Sequence, residues 1–248
     1  MFSLVRRCGG ASLVVSTITS AAWAAPEPDS TKYSTDLGSF VDLHNDYTKS
    51  AGAMTNALVL RGAYAPAPWV ALQIDLPLVY AETSKTRPVF GIGDVSGRAT
   101  VRIAALETSL LAGATFVFDS AAAKGLGGGK NVIGPFATIA WDFGPSAWVR
   151  VQLQQLASFG GDPKQTTVSA SSVRPYTFVA LPDGYWLVLD QTLRLDHKGP
   201  RDLSYSAILE GGKELSKKVS VYLDPGVQLD SPWALTWLMT AGVRWSMP

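Results

Sequence analysis

Twelve stretches of this chain alternate apolar and polar residues with a period of two, and no other feature of the sequence limits its fold so tightly. They lie near 40–48, 56–65, 69–80, 93–105, 109–119, 132–143, 147–158, 172–181, 184–195, 203–213, 218–229 and 234–246. In the third, Val70, Leu72, Ile74, Leu76 and Leu78 share one face, and Ala71, Gln73 and Asp75 share the other. In the ninth, Leu187, Leu189, Leu193 and Leu195 oppose Asp190, Thr192, Arg194 and Asp196. Each stretch therefore reads as a β-strand with one apolar and one polar face.

A soluble sandwich also alternates, because one sheet face is core and the other meets water. Three observations favour a closed membrane barrel instead. Most segments run about ten to thirteen residues, beyond the usual soluble strand of about 5–6 and enough to cross a bilayer obliquely. The links alternate in length: short at Pro66-Ala67-Pro68, Leu106-Glu107-Thr108, Gly144-Pro145-Ser146 and Pro182-Asp183, longer at 81–92, 120–131 and 159–171. The aromatics gather beside the links. Tyr64, Trp69, Trp141, Phe143, Trp148, Tyr185, Trp186 and Trp245 lie by the short ones or the C-terminus; Tyr80, Phe118, Phe159, Tyr205 and Trp233 lie towards the long ones. In a barrel these would form two interfacial girdles, with short periplasmic turns and longer extracellular loops.

The expected fold is thus an all-β, transmembrane antiparallel β-barrel of about 12 strands spanning residues 40–248. An even count closes the wall with both termini in the periplasm and no free edge. Twelve strands about 4.8 Å apart and tilted about 40° enclose a backbone cylinder roughly 24 Å across. Side chains reduce that to a narrow passage or a filled interior.

The N-terminus fits export. Arg6 and Arg7 precede an apolar stretch from Ala11 to Ala21 and an Ala22-Trp23-Ala24 cleavage signal, so residues 1–24 read as a signal peptide and 25–39 as a periplasmic segment. Cleavage takes two Arg and no acid from 21 basic and 20 acidic residues, leaving 19 against 20, so no basic surplus exists to hold nucleic acid. It also takes Cys8, the one cysteine, so the mature chain has no thiol and no disulfide.

Sites for common chemistry are missing. Gly125-Leu126-Gly127-Gly128-Gly129-Lys130 fails as a phosphate loop: Lys124 stands where the first glycine belongs, and Asn131 replaces the Ser/Thr. Gly91-Ile92-Gly93 fails as a dinucleotide fingerprint because Ser96 takes the third glycine's place. Both read as flexible outside loops. Two histidines, His44 and His197, make no metal cluster. Neither is joined to a Ser by a recognisable spacing, so both read as surface histidines, with no catalytic residue, metal or cofactor expected. Gln155 and Gln191 stand on the apolar face without a reason in the sequence.

A polar interior remains. Arg61, Asp75, Asp94, Arg98, Arg102, Arg150, Asp190, Arg194, Glu210, Asp224 and Arg244 take the phase opposite the aliphatic face and are expected to line a permeation path. Six Arg against five acids is close to neutral, which argues against strong ion selectivity and leaves neutral solutes least penalised.

Several short motifs recur in a recognisable order. They are Gly91-Ile92-Gly93-Asp94, the Gly125–Lys130 loop leading into Gly134-Pro135-Phe136, and Ser158-Phe159-Gly160-Gly161-Asp162. Val173-Arg174-Pro175-Tyr176 and Leu181-Pro182-Asp183-Gly184-Tyr185-Trp186 follow. Together, over residues 54–248, these resemble outer-membrane transporters of the meta-cleavage phenol-degradation type. The resemblance implies a Gram-negative outer-membrane barrel passing small hydrophobic or aromatic compounds. The chain departs from the family at Phe118-Asp119-Ser120-Ala121, where a Pro-Thr-Gly turn is usual, and in lacking a terminal Phe. The expectation is a passive channel, monomeric or weakly associated, whose partners are outer-membrane lipid, small solutes and the outer-membrane assembly machinery. The alternatives are a barrel enzyme acting on lipid with His197 or His44 as base, and a structural or adhesive barrel.

Overall fold

The computed structural model describes residues 37–84, 86–104, 108–144, 146–198, 202–230 and 234–247. The expected signal peptide, most of the expected periplasmic segment 25–39, Trp233 and the link residues Leu106, Glu107 and Pro145 lie outside the described residues.

Thirteen strand segments follow one another: β1 (Phe40–Ser50), β2 (Ala53–Ala67), β3 (Val70–Thr83), β4 (Thr86–Ile92), β5 (Ser96–Ala104), β6 (Thr108–Val117), β7 (Lys130–Asp142), β8 (Ala147–Gly161), β9 (Ser169–Ala180), β10 (Tyr185–Asp196), β11 (Leu203–Ser216), β12 (Val219–Asp230) and β13 (Ala234–Ser246). Every pairing is antiparallel, and nearly all join neighbours in sequence. β1 pairs with β2 on one side and with β13 on the other, Phe40 opposite Ser246, which closes the wall. β4 and β5 both pair with β3, at Leu78–Ile92 and Asp75–Ser96, so they are two parts of one wall strand interrupted at residues 93–95. The result is a closed barrel of twelve strands.

The alternation settles which face turns in. Leu72, Ile74, Leu76 and Leu78 of β3 are exposed on the outside, while Asp75 and Val79 are buried. On β10 the contrast falls between adjacent residues: Leu189 is 41% exposed and Val188 3%. The buried interior mixes hydrophobic residues with charged ones, among them Asp42, Arg61, Asp190, Glu210, Asp224 and Arg244. Greasy outside and charged inside is the reverse of a water-soluble domain.

The turns at the end holding Phe40 and Ser246, the terminal end, are short. One uses its sequence directly: Leu181-Pro182-Asp183-Gly184 makes a single 3-10 turn with Asp183 at φ 59° and Gly184 at φ 74°. Proline presets the first position, and aspartate and glycine tolerate the left-handed ones.

The opposite, loop end departs from expectation. Residues 81–92 are no long loop, because β3 runs to Thr83 and β4 starts at Thr86. Gly91-Ile92 is therefore wall, not flexible loop. The longer connections are 118–129 and 162–168. Proline also sits inside the wall, where it withholds a ladder hydrogen bond. The regular ladder lapses beside Pro135 between β7 and β8, beside Pro175 between β9 and β10, and beside Pro225 between β11 and β12.

Candidate permeation path

Three layers fill the barrel. Nearest the terminal end is an aromatic layer of Trp148, Tyr176, Phe178, Trp186, Val188 and Tyr222. Trp148 stacks on Tyr176 and Phe178 at centroid separations of 5.3 and 5.1 Å. Trp148 and Trp186 were expected in the outer girdle and are not there: they are 2% and 4% exposed. Each is the second residue of its strand, one step past an outward position, so proximity to a turn put them near the interface but phase turned them inward. The aromatics that do stay outside include Tyr64, Trp69, Phe143, Tyr185 and Trp245 at the terminal end, and Phe118, Phe159 and Tyr205 at the other.

Above the rings lies a charged layer. Arg61 donates from Nε and Nη2 to both oxygens of Asp75, at 2.8 and 2.9 Å. Arg174 holds Asp190 in the same two-pronged way and ties β9 to β10 beside the lapse at Pro175. Arg98 donates to Gln152 Oε1 at 2.9 Å and lies 4.1 Å over the Phe136 ring. Arg150 lies 4.3 Å over Trp148, joining this layer to the aromatic one. Arg194 bonds to Asp196 at 2.8 Å.

At the closing seam Asp42, opposite Arg61 in the β1–β2 ladder, gathers three partners. It accepts from the Tyr222 hydroxyl at 2.9 Å, pairs with Arg244 at 3.1 Å, and meets His44 Nδ1 at 2.5 Å. His44 is 2% exposed, so its reading as a surface histidine is corrected. Its place on β1 in the same phase as Asp42 and Asp46 carried that signal. Glu210 accepts from Trp186 Nε1, but its Oε2 has no hydrogen-bond partner among the described residues, and neither oxygen of Asp224 has one.

Asp94 is different. It sits in the break between β4 and β5 and accepts from the backbone N–H groups of Ser120, Ala121 and Gly128 at 3.2, 3.1 and 2.6 Å. Those residues belong to the 118–129 connection, whose Leu126 is fully buried on the inward Val79 and Ala81. The Gly125–Lys130 segment is thus held against the inner wall rather than loose outside. This forms the third layer, beside a second apolar cluster of Val117, Val132, Leu156 and Ala170.

Ten of the eleven residues expected to face inward lie in strands and in the inward phase; Asp94 stands in the wall break. Asp42, His44, Asp46 and Arg174 join them unforeseen. Strand order then sorts the charges, leaving aside two residues at each strand end. Along the arc β9–β8–β7–β6–β5–β3–β2 stand Arg61, Arg98, Arg102, Arg150 and Arg174 against Asp75. Along β10 to β13 and β1 stand Asp42, Asp46, Asp190, Glu210, Glu214 and Asp224 against Arg194 and Arg244. A set that is nearly neutral by count is divided across the lumen.

The two outward amides also find partners. Gln155 Oε1 accepts from Ser171 Oγ, and Gln191 Oε1 accepts from the Tyr205 hydroxyl at 2.8 Å. Ser171 Oγ lies 2.8 Å from His197 Nε2.

The chain superposes on an outer-membrane channel from Pseudomonas putida F1 with a TM-score of 0.73, at 11% identity, over 90% of this chain and all of that one. The fold is that of an outer-membrane β-barrel. The NanC porin gives a TM-score of 0.60 at 11% identity over 84% of this chain and 100% of its own. CymD, a monoaromatic hydrocarbon channel, gives 0.51 at 8% identity over 86% and 89%. No family model matches the chain, and no curated protein matches it.

Proposed function

We propose that this protein is an outer-membrane channel through which small organic molecules with hydrophobic or aromatic bodies pass passively, its terminal end in the periplasm. The observation that carries this reading is a closed wall, apolar outside, around a charged layer that holds a cavity between an aromatic floor and an inward-held loop. Outward aliphatic side chains suit lipid, and a wall closed by antiparallel pairing all round suits a medium without water. The polar interior gives a solute hydrogen-bonding partners on the way through. The shared fold with CymD and the resemblance to phenol-pathway transporters support an aromatic solute.

Liposomes carrying the purified barrel should admit small aromatics faster than sugars of similar mass. Permeation no faster than in empty liposomes for every solute would end the channel reading. Membranes should retain the protein through a carbonate wash, and the folded barrel should migrate differently on gels before and after boiling. Recovery in the soluble periplasm would refute the membrane placement.

The Ser171–His197 pair is read as a structural contact rather than an active site. Ser171 Oγ lies 2.5 Å from Gln155 Oε1 as well as 2.8 Å from His197 Nε2, and among the described residues no carboxylate bonds to the His197 ring to orient it as a base. His44 is buried in the ion-pair cluster. Substituting Ala for either histidine should leave the membrane's lipid profile unchanged.

A further inference from the structure

The charged layer contains a cavity of about 40 Å³ on the arginine arc, and its lining carries three cations against one acid. Arg61, Arg98 and Arg174 face it with Asp75, Gln152 and Gln154, and Asp75 is already held by Arg61, which leaves the excess positive. One water needs about 10–15 Å³ by this measure, so the space admits about three atoms of that size. A carboxylate group has three.

We propose that this cavity binds the carboxylate of a small organic acid, and that such acids are what the barrel passes. The inference rests on the channel reading and names its solute class. Two of the three guanidiniums already grip a carboxylate of the protein in the planar two-pronged geometry, Arg61 with Asp75 and Arg174 with Asp190. The site is therefore built from groups whose hydrogen-bond directions match the proposed guest. The amide nitrogen of Gln154, held by Thr115 Oγ1 at 2.8 Å and Gly134 O at 3.1 Å, adds a fixed polar group.

The wider field agrees. The arc carrying the cavity has five Arg and one Asp away from its strand ends. Rings of one sign select by charge, and inside a low-dielectric wall the effect exceeds that in water. A cationic solute would be repelled from this arc, and a neutral one would gain hydrogen bonds without the charge. The cavity's own lining includes the apolar residues Phe116 and Val117, so an apolar body attached to the carboxylate has carbon to lie against. An acid with an aromatic or short aliphatic body fits both parts.

The test uses the folded, full-length barrel and three probes of one shape: benzoate, benzyl alcohol and benzylammonium. Calorimetric titration in detergent reads binding without transport. Planar bilayers read conductance, block by each probe and reversal potential in a salt gradient. Benzoate should bind and block at concentrations at least about tenfold below benzyl alcohol, with benzylammonium weakest, and chloride should be favoured over potassium. Arg98→Gln should weaken benzoate about tenfold and leave benzyl alcohol unchanged. Gln152→Glu, which places a carboxylate beside Arg98 at little change of volume, should abolish the benzoate preference even if Arg98→Gln misfolds. Equal binding of benzoate and benzyl alcohol, or tighter benzylammonium, would overturn the proposal while conductance left the channel standing. Absent conductance with benzoate still bound would instead defeat the channel reading and keep the site.

Discussion

Gly212 stands directly opposite Trp186 in the β10–β11 ladder, and the indole lies flat across it: a Cβ on Gly212 would sit 2.0 Å from Trp186 Cζ2. The same arrangement recurs at Gly113 opposite Phe136 and at Gly242 opposite Tyr222. In each pair an inward glycine gives its space to the ring beside it, so large rings lie along the wall instead of crossing the lumen. These glycines set the width of the passage.

Gly212→Val should therefore push the Trp186 ring off the wall and break its bond to Glu210. Overpacking of this kind costs about 1–3 kcal/mol. Urea unfolding followed by tryptophan fluorescence should show the loss, with altered single-channel conductance in the folded fraction. An unchanged midpoint and conductance would mean the ring has another resting place.

The outward face gives a second expectation. Leu189→Arg places a charge in lipid and should cost about 2–4 kcal/mol near the midplane. Val188, its inward neighbour, is no neutral control, because it packs within the aromatic layer and an Arg there would be unsolvated. Thr192, inward and half-buried beside the charged residues, is the proper comparison. Thr192→Lys should cost well under half as much in the same unfolding series, and equal costs would contradict the assigned faces.

Much of this was legible in the sequence. Period-two alternation located all twelve wall strands, and the inward charges followed from phase alone. What escaped was whatever depends on register between strands. Trp148 and Trp186 were misplaced because nearness to a turn says nothing of facing. His44 was discounted because the cluster it joins through Asp42 is completed by Tyr222 and Arg244 on β12 and β13, far off in sequence but near across the closing seam. The division of charge into two arcs was invisible for the same reason: a residue count has no geometry. Residues 81–92 looked like loop because Pro88, Gly91 and Gly93 interrupt the alternation, yet Gly91 and Gly93 stand where the wall meets the inward-held Leu126. A Cβ on Gly93 would meet Val79 Cγ2 at 2.7 Å.

Glu210 and Asp224 supply a stabilising substitution. The register on either side of the β11–β12 lapse puts them opposite each other, two buried carboxylates where a pair of ladder residues should be. Like charges directly opposite are destabilising by up to about 1 kcal/mol. Asp224→Asn removes one charge, keeps the shape and offers an amide donor to Glu210. The unfolding midpoint should rise at neutral pH. A fall would show that Asp224 is needed as a charge by Arg244 or by a group from the solute.

The last expectation concerns the loop-end closure. Asp94 takes three backbone N–H groups of the 118–129 connection, and Gly127 passes so close that a Cβ would lie 2.3 Å from the carboxylate. Hydrogen bonds to a charged acceptor contribute about 1.5–3 kcal/mol each when geometry is good, more than an exposed loop gains from its own turns. Leu126 adds its burial on Val79 and Ala81, so carboxylate and leucine hold the connection from two sides. Asp94→Ala removes the first hold and leaves the barrel ladder untouched, since residues 93–95 are already outside it. The gel shift on boiling should persist while conductance rises and protease cuts within 118–129. Gly127→Ala should act in the same direction through crowding of the carboxylate. If both variants conduct and resist protease like the parent, Leu126 alone secures the connection, and Asp94 does no more than fill the break in the wall.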